Sequence, residues 1–366
     1  MDGRARWSMR RAVELSLGLV MALGLAWIAW GIGAHAGGMA AGARFERGAP
    51  WEPRVTHVFD HDFEPGALAF SPDGHYLAVG GGLHRAVVVW DLRNGHLVRR
   101  LEDEKGGVTS LAWSWDGRRL VAGRSFTTAE RIPSLTAWDT FTWDSAYRTM
   151  GPFELAFGYN DVVELAVAPD GRSLAASYNQ GGVGVHDPST GHLVRVLSAH
   201  ALVGGGIAFS PNGNLLLASA GRSDQTLNVF DVATGALVHS FASGPETGQR
   251  VSWRSVGEEV ASIGFVGGRI TVWNSSTRQV SRVLLDHGVE RIYALSYSPD
   301  GTWLVTVAPG LGIVIREALS DRTAGLIARD RPPFSAVAWS ANSRHLATAH
   351  SQQARVWDLS DLTSTR

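Results

Sequence analysis

The sequence predicts an all-β fold of seven four-stranded units closed into a ring and preceded by a single transmembrane helix. Three observations carry this. A turn dipeptide recurs at near-constant spacing through most of the 366 residues. Apolar residues flank each turn at strand spacing. A 20-residue uncharged run stands near the N-terminus. Composition agrees. Hydrophobic residues are 45% and charged residues 18%, which supplies a core and excludes global disorder. Glycine (43) and tryptophan (14) are abundant, as many turns and large core anchors require. A formal charge of −1, from 33 basic and 34 acidic residues, argues against a nucleic-acid partner. Cysteine is absent, which removes disulfides, thiol nucleophiles and thiolate metal sites.

The turn recurs at Asp73-Gly74, Asp116-Gly117, Asp170-Gly171, Asn212-Gly213 and Asp300-Gly301, with degenerate copies at Val256-Gly257 and Asn342-Ser343. Successive copies lie 43, 54, 42, 44, 44 and 42 residues apart. Five residues before each turn stand Leu68, Leu111, Leu165, Ile207, Val251, Leu295 and Val337. Three before stand Phe70, Trp113, Val167, Phe209, Trp253, Tyr297 and Trp339. Four after stand Leu77, Leu120, Leu174, Leu216, Val260, Leu304 and Leu346. A spacing of two is the period of a strand. An Asp-Gly or Asn-Gly pair between two such runs is a hairpin turn, because both positions tolerate positive φ. A third, wholly apolar run follows, as in Ala86-Val87-Val88-Val89-Trp90, and then a more polar one, as in His96–Leu101. Four strands per ~43 residues make the blade of a propeller.

The third strand ends in Trp90-Asp91, Trp138-Asp139, His186-Asp187, Phe230-Asp231, Trp273-Asn274 and Trp357-Asp358. With the Phe70–Gly74 segment, these pairs make residues 54–366 resemble the WD40-repeat β-propeller family, in a bacterial-type form with an N-terminal membrane anchor. The resemblance implies radial blades around a central channel. Many members of that family tie a blade together through a His, a Ser or Thr, an Asp and the Trp; no unit here carries all four. The sixth unit reads Ile315-Arg316 where the Trp-Asp pair belongs. Apolar packing therefore carries the blades. The last unit stops soon after Trp357-Asp358, and Arg54–Phe59 has strand character and would supply its missing fourth strand.

Residues 1–14 form a short basic tail with Arg4, Arg6, Arg10 and Arg11. Residues 15–34 are uncharged, and at 1.5 Å per residue they span roughly 30 Å, a hydrocarbon thickness. A cleaved signal peptide is the competing reading, since Ala34-His35-Ala36 has the form of a cleavage site, but the run is longer than such signals need. The arginines nearest the run favour the N-terminus inside and the ring outside the inner or plasma membrane. Residues 35–53 read as a Gly/Ala-rich tether.

Catalytic motifs are missing. There is no His-Glu-x-x-His pair and no Gly-x-Ser-x-Gly elbow, and Lys105 is the single lysine. His57 and His61 are four apart, which on a strand separates them by roughly 13 Å, too far to share a metal. No metal and no cofactor is expected.

Unit two is irregular. Its turn-to-Trp distance is longer than elsewhere, which places one insertion around Phe126–Ile132, and Asp139 stands farther from the next turn than its counterparts do, which places a second around Gly151–Asn160. Both connections open on one face of a propeller. They carry Phe126, Arg131, Phe153, Phe157 and Tyr159, aromatic and guanidinium groups suited to a protein or peptide partner. The bland alternative is a small satellite cluster of the two loops on each other. The chain is expected to be a non-catalytic, membrane-tethered scaffold docking protein or peptide partners on one face. A periplasmic enzyme or small-molecule binder at the channel mouth is the alternative, and a cytosol-facing scaffold the third. Channel-lining residues discriminate: converging charges favour chemistry, small residues a platform.

Overall fold

The computed structural model describes residues 54–364 except 82–85, 103–105, 126–132, 153–160, 180–181, 198–204, 220–225, 243–249, 265–267, 286–290, 309–311 and 328–333. Seven four-stranded antiparallel sheets are present, each ordered as the sequence runs except the last. Blade 1 consists of strands Pro65–Phe70, Tyr76–Gly81, Ala86–Asp91 and His96–Glu102. Blade 2 consists of Gly107–Trp113, Arg119–Ser125, Leu135–Asp139 and Ser145–Thr149. Blades 3 to 6 lie within 162–197, 207–242, 250–285 and 294–327. Blade 7 takes three strands from 334–358 and its fourth from Arg54–Asp60. The first strand of every blade contacts those of both neighbours, blade 7 to blade 1 included, so the innermost strands form a closed ring. The anchor expected at Leu15–Ala34 lies outside the described residues, as do the tail and tether. Among the described residues no helix is long and apolar enough to cross a membrane.

Three features of the sequence build the blades. The position four residues after each turn is buried in all seven, with Leu77, Leu120, Leu174, Leu216, Val260 and Leu346 fully so. Third strands such as Ala86–Val89 are buried on both faces, because each blade is sandwiched between two others. Fourth strands are the outer edge and alternate with solvent, as in Ser145–Thr149. Blades approach closely where a side chain is absent: a Cβ on Gly123 would stand 2.5 Å from a Val162 methyl of blade 3.

The ring is closed by pairing Arg54–Asp60 antiparallel to Gln353–Asp358, with Val58 opposite Arg355 and Phe59 opposite Ala354. Phe59 is buried and stacks at 4.5 Å on Trp90 of blade 1. Gln353 Nε2 donates to Asp60 Oδ1 at 2.7 Å, and the His61 amide to the Gln352 carbonyl at 2.8 Å. Side chains of the first strands stitch neighbours together. Thr109 donates to the Val162 carbonyl at 2.7 Å and Ser335 to the Pro65 carbonyl at 2.5 Å, while Ser110 accepts from the Leu165 amide at 3.0 Å.

The aromatic position before the turn is not uniform. Trp113 is buried and donates to the Ala69 carbonyl of blade 1 at 3.2 Å, whereas Trp253 and Trp339 are only half-buried. Trp113→Ala is expected to cost about 3–5 kcal/mol in denaturant unfolding, and Trp339→Ala clearly less. Equal costs would contradict the burial difference.

In blade 3 a histidine replaces the tryptophan of the third strand. His186 is fully buried, with Nε2 3.1 Å from the Tyr178 hydroxyl and Nδ1 3.2 Å from the Gly191 carbonyl. Burial holds its pKa down at about 4. His61 is likewise held at about 4 by burial, against the pull of Asp62 and Asp60. The unfolded chain takes up these protons near pH 6.5, the folded chain only near pH 4. Their stabilising contribution is therefore complete above pH 6.5 and is lost as pH falls toward 4. Unfolding midpoints measured from pH 7 to 4 should drop across that window. His186→Phe, which places there the residue type of Phe230 in blade 4, should shallow the drop while lowering stability at pH 7.

Candidate functional site

Antiparallel order puts two connections of each blade at one end of the ring: first to second strand, and third to fourth. The other two kinds of connection, second to third strand and fourth strand to the next blade, start and end at the opposite end. Phe126, Arg131, Phe153, Phe157 and Tyr159 all lie outside the described residues.

On the end that is described, the two turns repeat closely, so departures can be read blade against blade. The inner turn is Ser-Pro-Asp-Gly in blades 1 and 6 and Ser-Pro-Asn-Gly in blade 4. The serine hydroxyl donates to the Asp or Asn Oδ1, which also accepts from the backbone amide two residues on: Ser71 and His75 to Asp73 at 2.5 and 3.0 Å, Ser114 and Arg118 to Asp116 at 2.6 and 3.0 Å. The fourth residue takes positive φ in all seven turns. The second residue is Pro72, Pro169, Pro211 or Pro299 in four blades and Ser255 or Ala341 in two. In blade 2 it is Trp115, whose side chain lies over Gly171 of blade 3 yet remains 63% exposed.

The outer turn closes in blades 1 to 6 with the same backbone bond, the fifth residue donating to the first carbonyl, as in Gly95 to Asp91 and Trp143 to Asp139. That fifth residue has positive φ and is Gly95, Gly191 or Gly235 in blades 1, 3 and 4. Blade 2 places Trp143 there, at φ 63°. A bulky residue in the left-handed region costs of order 1–3 kcal/mol and persists only where its surroundings fix it. Two residues earlier stands Phe141, 95% exposed.

Blade 2 thus places tryptophan where four blades carry proline and, in the other turn, where blades 1, 3 and 4 carry glycine and blades 5 and 6 carry Arg278 and Asp321, and both turns meet at its seam with blade 1. There Trp113 stacks on Tyr76 of blade 1 at 6.3 Å and 17°. Trp143 meets Trp113 edge-on at 6.3 Å and 84°. A concavity of 680 Å³ opens over this cluster, lined by Tyr76, Trp113, Trp115, Trp143, Asp73 and Asp116 among others. A second, of 500 Å³, lies on the far side of Trp115 toward blade 3, with Arg118, Arg119, Asp170 and Arg172 among its walls. Trp115 is the ridge between the two. Hydrogen bonds set the charge of the rim. Burial raises the Asp73 and Asp116 pKa values, but bonds from the Ser71 and Ser114 hydroxyls and the following amides outweigh it and hold both below the usual carboxylate range. Both are ionised at neutral pH.

The innermost strands read differently. Four residues before each turn, on the innermost strands, stand Ala69, Ala112, Ala166, Ala208, Ser252, Ser296 and Ala338. Two residues earlier, Glu164 and Arg250 pair at 3.5 Å across blade 4, and Glu164 also accepts from the Ile207 amide at 3.1 Å. Burial raises the Glu164 pKa, with Arg250 opposing it. The pair joins blades 3, 4 and 5. Among the described residues no cluster of His, Asp and Glu has the arrangement of a metal site.

Sequence reading by repeat agreement and repeat length passed over Trp115 and Trp143. The signal was present, in the Ser-Trp-Asp-Gly that breaks a Ser-Pro-Asp-Gly series and in the missing glycine of Thr-Phe-Thr-Trp-Asp.

Comparison with known proteins fits this geometry. Residues 53–91, 95–127, 191–231, 278–311 and 330–358 match the WD domain, G-beta repeat. Together with the seven blades, these five matches support a WD40-type β-propeller. WD repeat-containing protein SL1-17 of Schistosoma mansoni is 31% identical over 162 residues, 44% of this chain and 49% of that protein. Cell division cycle 20.1, cofactor of APC complex, of Arabidopsis thaliana is 24% identical over 265 residues, 62% of this chain and 58% of the relative. Autophagy-related protein 16 of Arabidopsis thaliana is 24% identical over 263 residues, 63% of this chain and 51% of the relative. The chain spans about half the length of the curated relatives it matches. These relatives are eukaryotic and lend no support to a bacterial-type origin.

Proposed function

We propose that this chain is a non-catalytic scaffold that docks a protein partner on the turn end of blade 2, with Trp115 as the central anchor. The carrying observation is a large aromatic side chain, 63% exposed, at a position that six other blades fill with proline, serine or alanine. Solvent-exposed tryptophan between two concavities is the arrangement that concentrates binding energy in few residues. The relatives whose names state a role, a cofactor of APC complex and an autophagy-related protein, lend support to the class of function and not to any particular partner.

The membrane tether belongs to the same proposal. The uncharged Leu15–Ala34 run anchors the ring, and the arginines before it hold the N-terminus inside, so the ring works on the outer side of the inner or plasma membrane. The insertion residues Phe126, Arg131, Phe153, Phe157 and Tyr159 would extend recognition at the opposite end of the same blade.

The test is a photo-cross-linking residue placed at Phe141 in cells expressing the full chain with a C-terminal tag. The expected result is a discrete protein adduct that Trp115→Pro removes at least tenfold, without loss of thermal stability, since four blades carry proline at that position. The tag should be cut by protease added outside the inner membrane. An adduct undiminished in Trp115→Pro contradicts the docking face; a tag protected until the inner membrane is lysed reverses the orientation.

A further inference from the structure

The concavity between blades 1 and 2 combines an aromatic floor with an acidic rim. Four rings, Tyr76, Trp113, Trp115 and Trp143, line it together with Asp73 and Asp116, and its lining residues include no lysine, arginine or histidine. Each carboxylate spends Oδ1 on its own turn. The other oxygens are lightly held. Asp73 Oδ2 meets His75 Nδ1 at 3.1 Å, and Asp116 Oδ2 has Arg118 Nε at 4.0 Å from a side chain that is 82% exposed. About half of each aspartate side chain remains open to solvent. The cluster already accepts one guanidinium from within the chain. Arg93 lies 5.4 Å from the centre of the Tyr76 ring, clamped by Asp91 through Nε at 2.9 Å and Nη2 at 2.7 Å. Asp73 and Asp116 beside Trp115 offer the same combination of ring and carboxylate, with His75 and the exposed Arg118 beside the carboxylates and neither of them clamped as Arg93 is.

Resting on the docking face proposed above, we infer that this concavity receives an arginine side chain of the partner, its guanidinium set against Trp115 and paired with Asp73 and Asp116. The ring faces carry negative potential and attract a cation. Arginine suits the site better than lysine, because its planar, weakly hydrated group stacks on a ring while its edge meets carboxylates. The charge of the rim thus selects a basic segment, where an uncharged aromatic groove would take an apolar one.

The test uses the full chain in detergent and the probe peptide acetyl-Gly-Ser-Gly-Arg-Gly-Ser-Gly-amide, with its citrulline counterpart as the neutral isostere. Binding is read by saturation-transfer NMR. The arginine peptide should bind at least tenfold more tightly than the citrulline peptide, and added salt should narrow the gap. The double variant Asp73→Asn, Asp116→Asn should abolish the preference with the fold intact. Asn212 and Asn342 already occupy the same turn position in blades 4 and 7 and accept the same hydrogen bonds. Trp115→Pro should abolish it as well. Equal binding of the two peptides, or a preference that survives the double variant, overturns the inference; equal binding would assign the groove to an apolar occupant. The two proposals separate in cells. If Trp115→Pro removes the cross-linked adduct and the Asn variant keeps it, docking stands and arginine recognition falls.

Discussion

One antiparallel pairing, between Arg54–Asp60 and Gln353–Asp358, holds the ring shut. Every other blade is made of strands adjacent in sequence. Without this pairing blade 7 has three strands and an unpaired edge, and the core it shares with blade 1 through Ala347, Ala349, Ala354 and Val356 loses Phe59. The pairing is reinforced at depth by Phe59 on Trp90, so that a strand belonging to blade 7 is also part of the core beneath blade 1. A closed ring in turn fixes the angle between successive blades. The candidate site depends on that angle, because its two walls come from different blades: Tyr76 and Asp73 from blade 1, Trp113, Trp115, Asp116 and Trp143 from blade 2.

Repetition supplies the scaffold, and departures from it supply individuality. The inner turns keep one hydrogen-bond scheme whether the acceptor is Asp73, Asp116, Asn212, Asp300 or Asn342. The scheme needs a short acceptor and a residue tolerant of positive φ, and it leaves the second turn residue unconstrained. Trp115 occupies that freedom. The outer turn is more demanding, since its fifth residue must be left-handed, and Trp143 meets the demand at a cost in backbone energy. Its packing on Trp113, within a core shared by blades 1 and 2, offsets part of that cost and ties blade 2 to blade 1. One tryptophan is thus structural and partly exposed, the other exposed and lightly packed. Trp143 thereby gives the seam an aromatic surface with little side-chain freedom to lose on binding.

The seven blades were legible in the sequence because the pleat repeats every two residues and the turn every ~43, and both periods survive substitution within a residue class. The buried aliphatics at Leu77, Leu120 and their equivalents follow from that pattern alone. Burial at the aromatic position does not. Trp113 and Trp339 look equivalent in sequence, yet only Trp113 is covered, by Tyr76 and Trp143 from its own neighbourhood. The candidate site was hidden for a related reason. Trp113 and Trp115 are two residues apart, the spacing of a single strand face, and only the turn between them and Gly117 sends Trp115 out of the core. The length irregularities of unit two fall on the same blade as the candidate site, in connections outside the described residues.

The closure is tested most directly by a designed cross-link. The chain has no cysteine, so Val58→Cys with Arg355→Cys would introduce the only pair. These residues face each other across the closing strands. Mild oxidation of the dilute protein should form an intramolecular disulfide rapidly and raise the unfolding temperature, with the monomer preserved. Free thiols, or disulfides found only between chains, would mean that the N-terminal strand does not close the seventh blade.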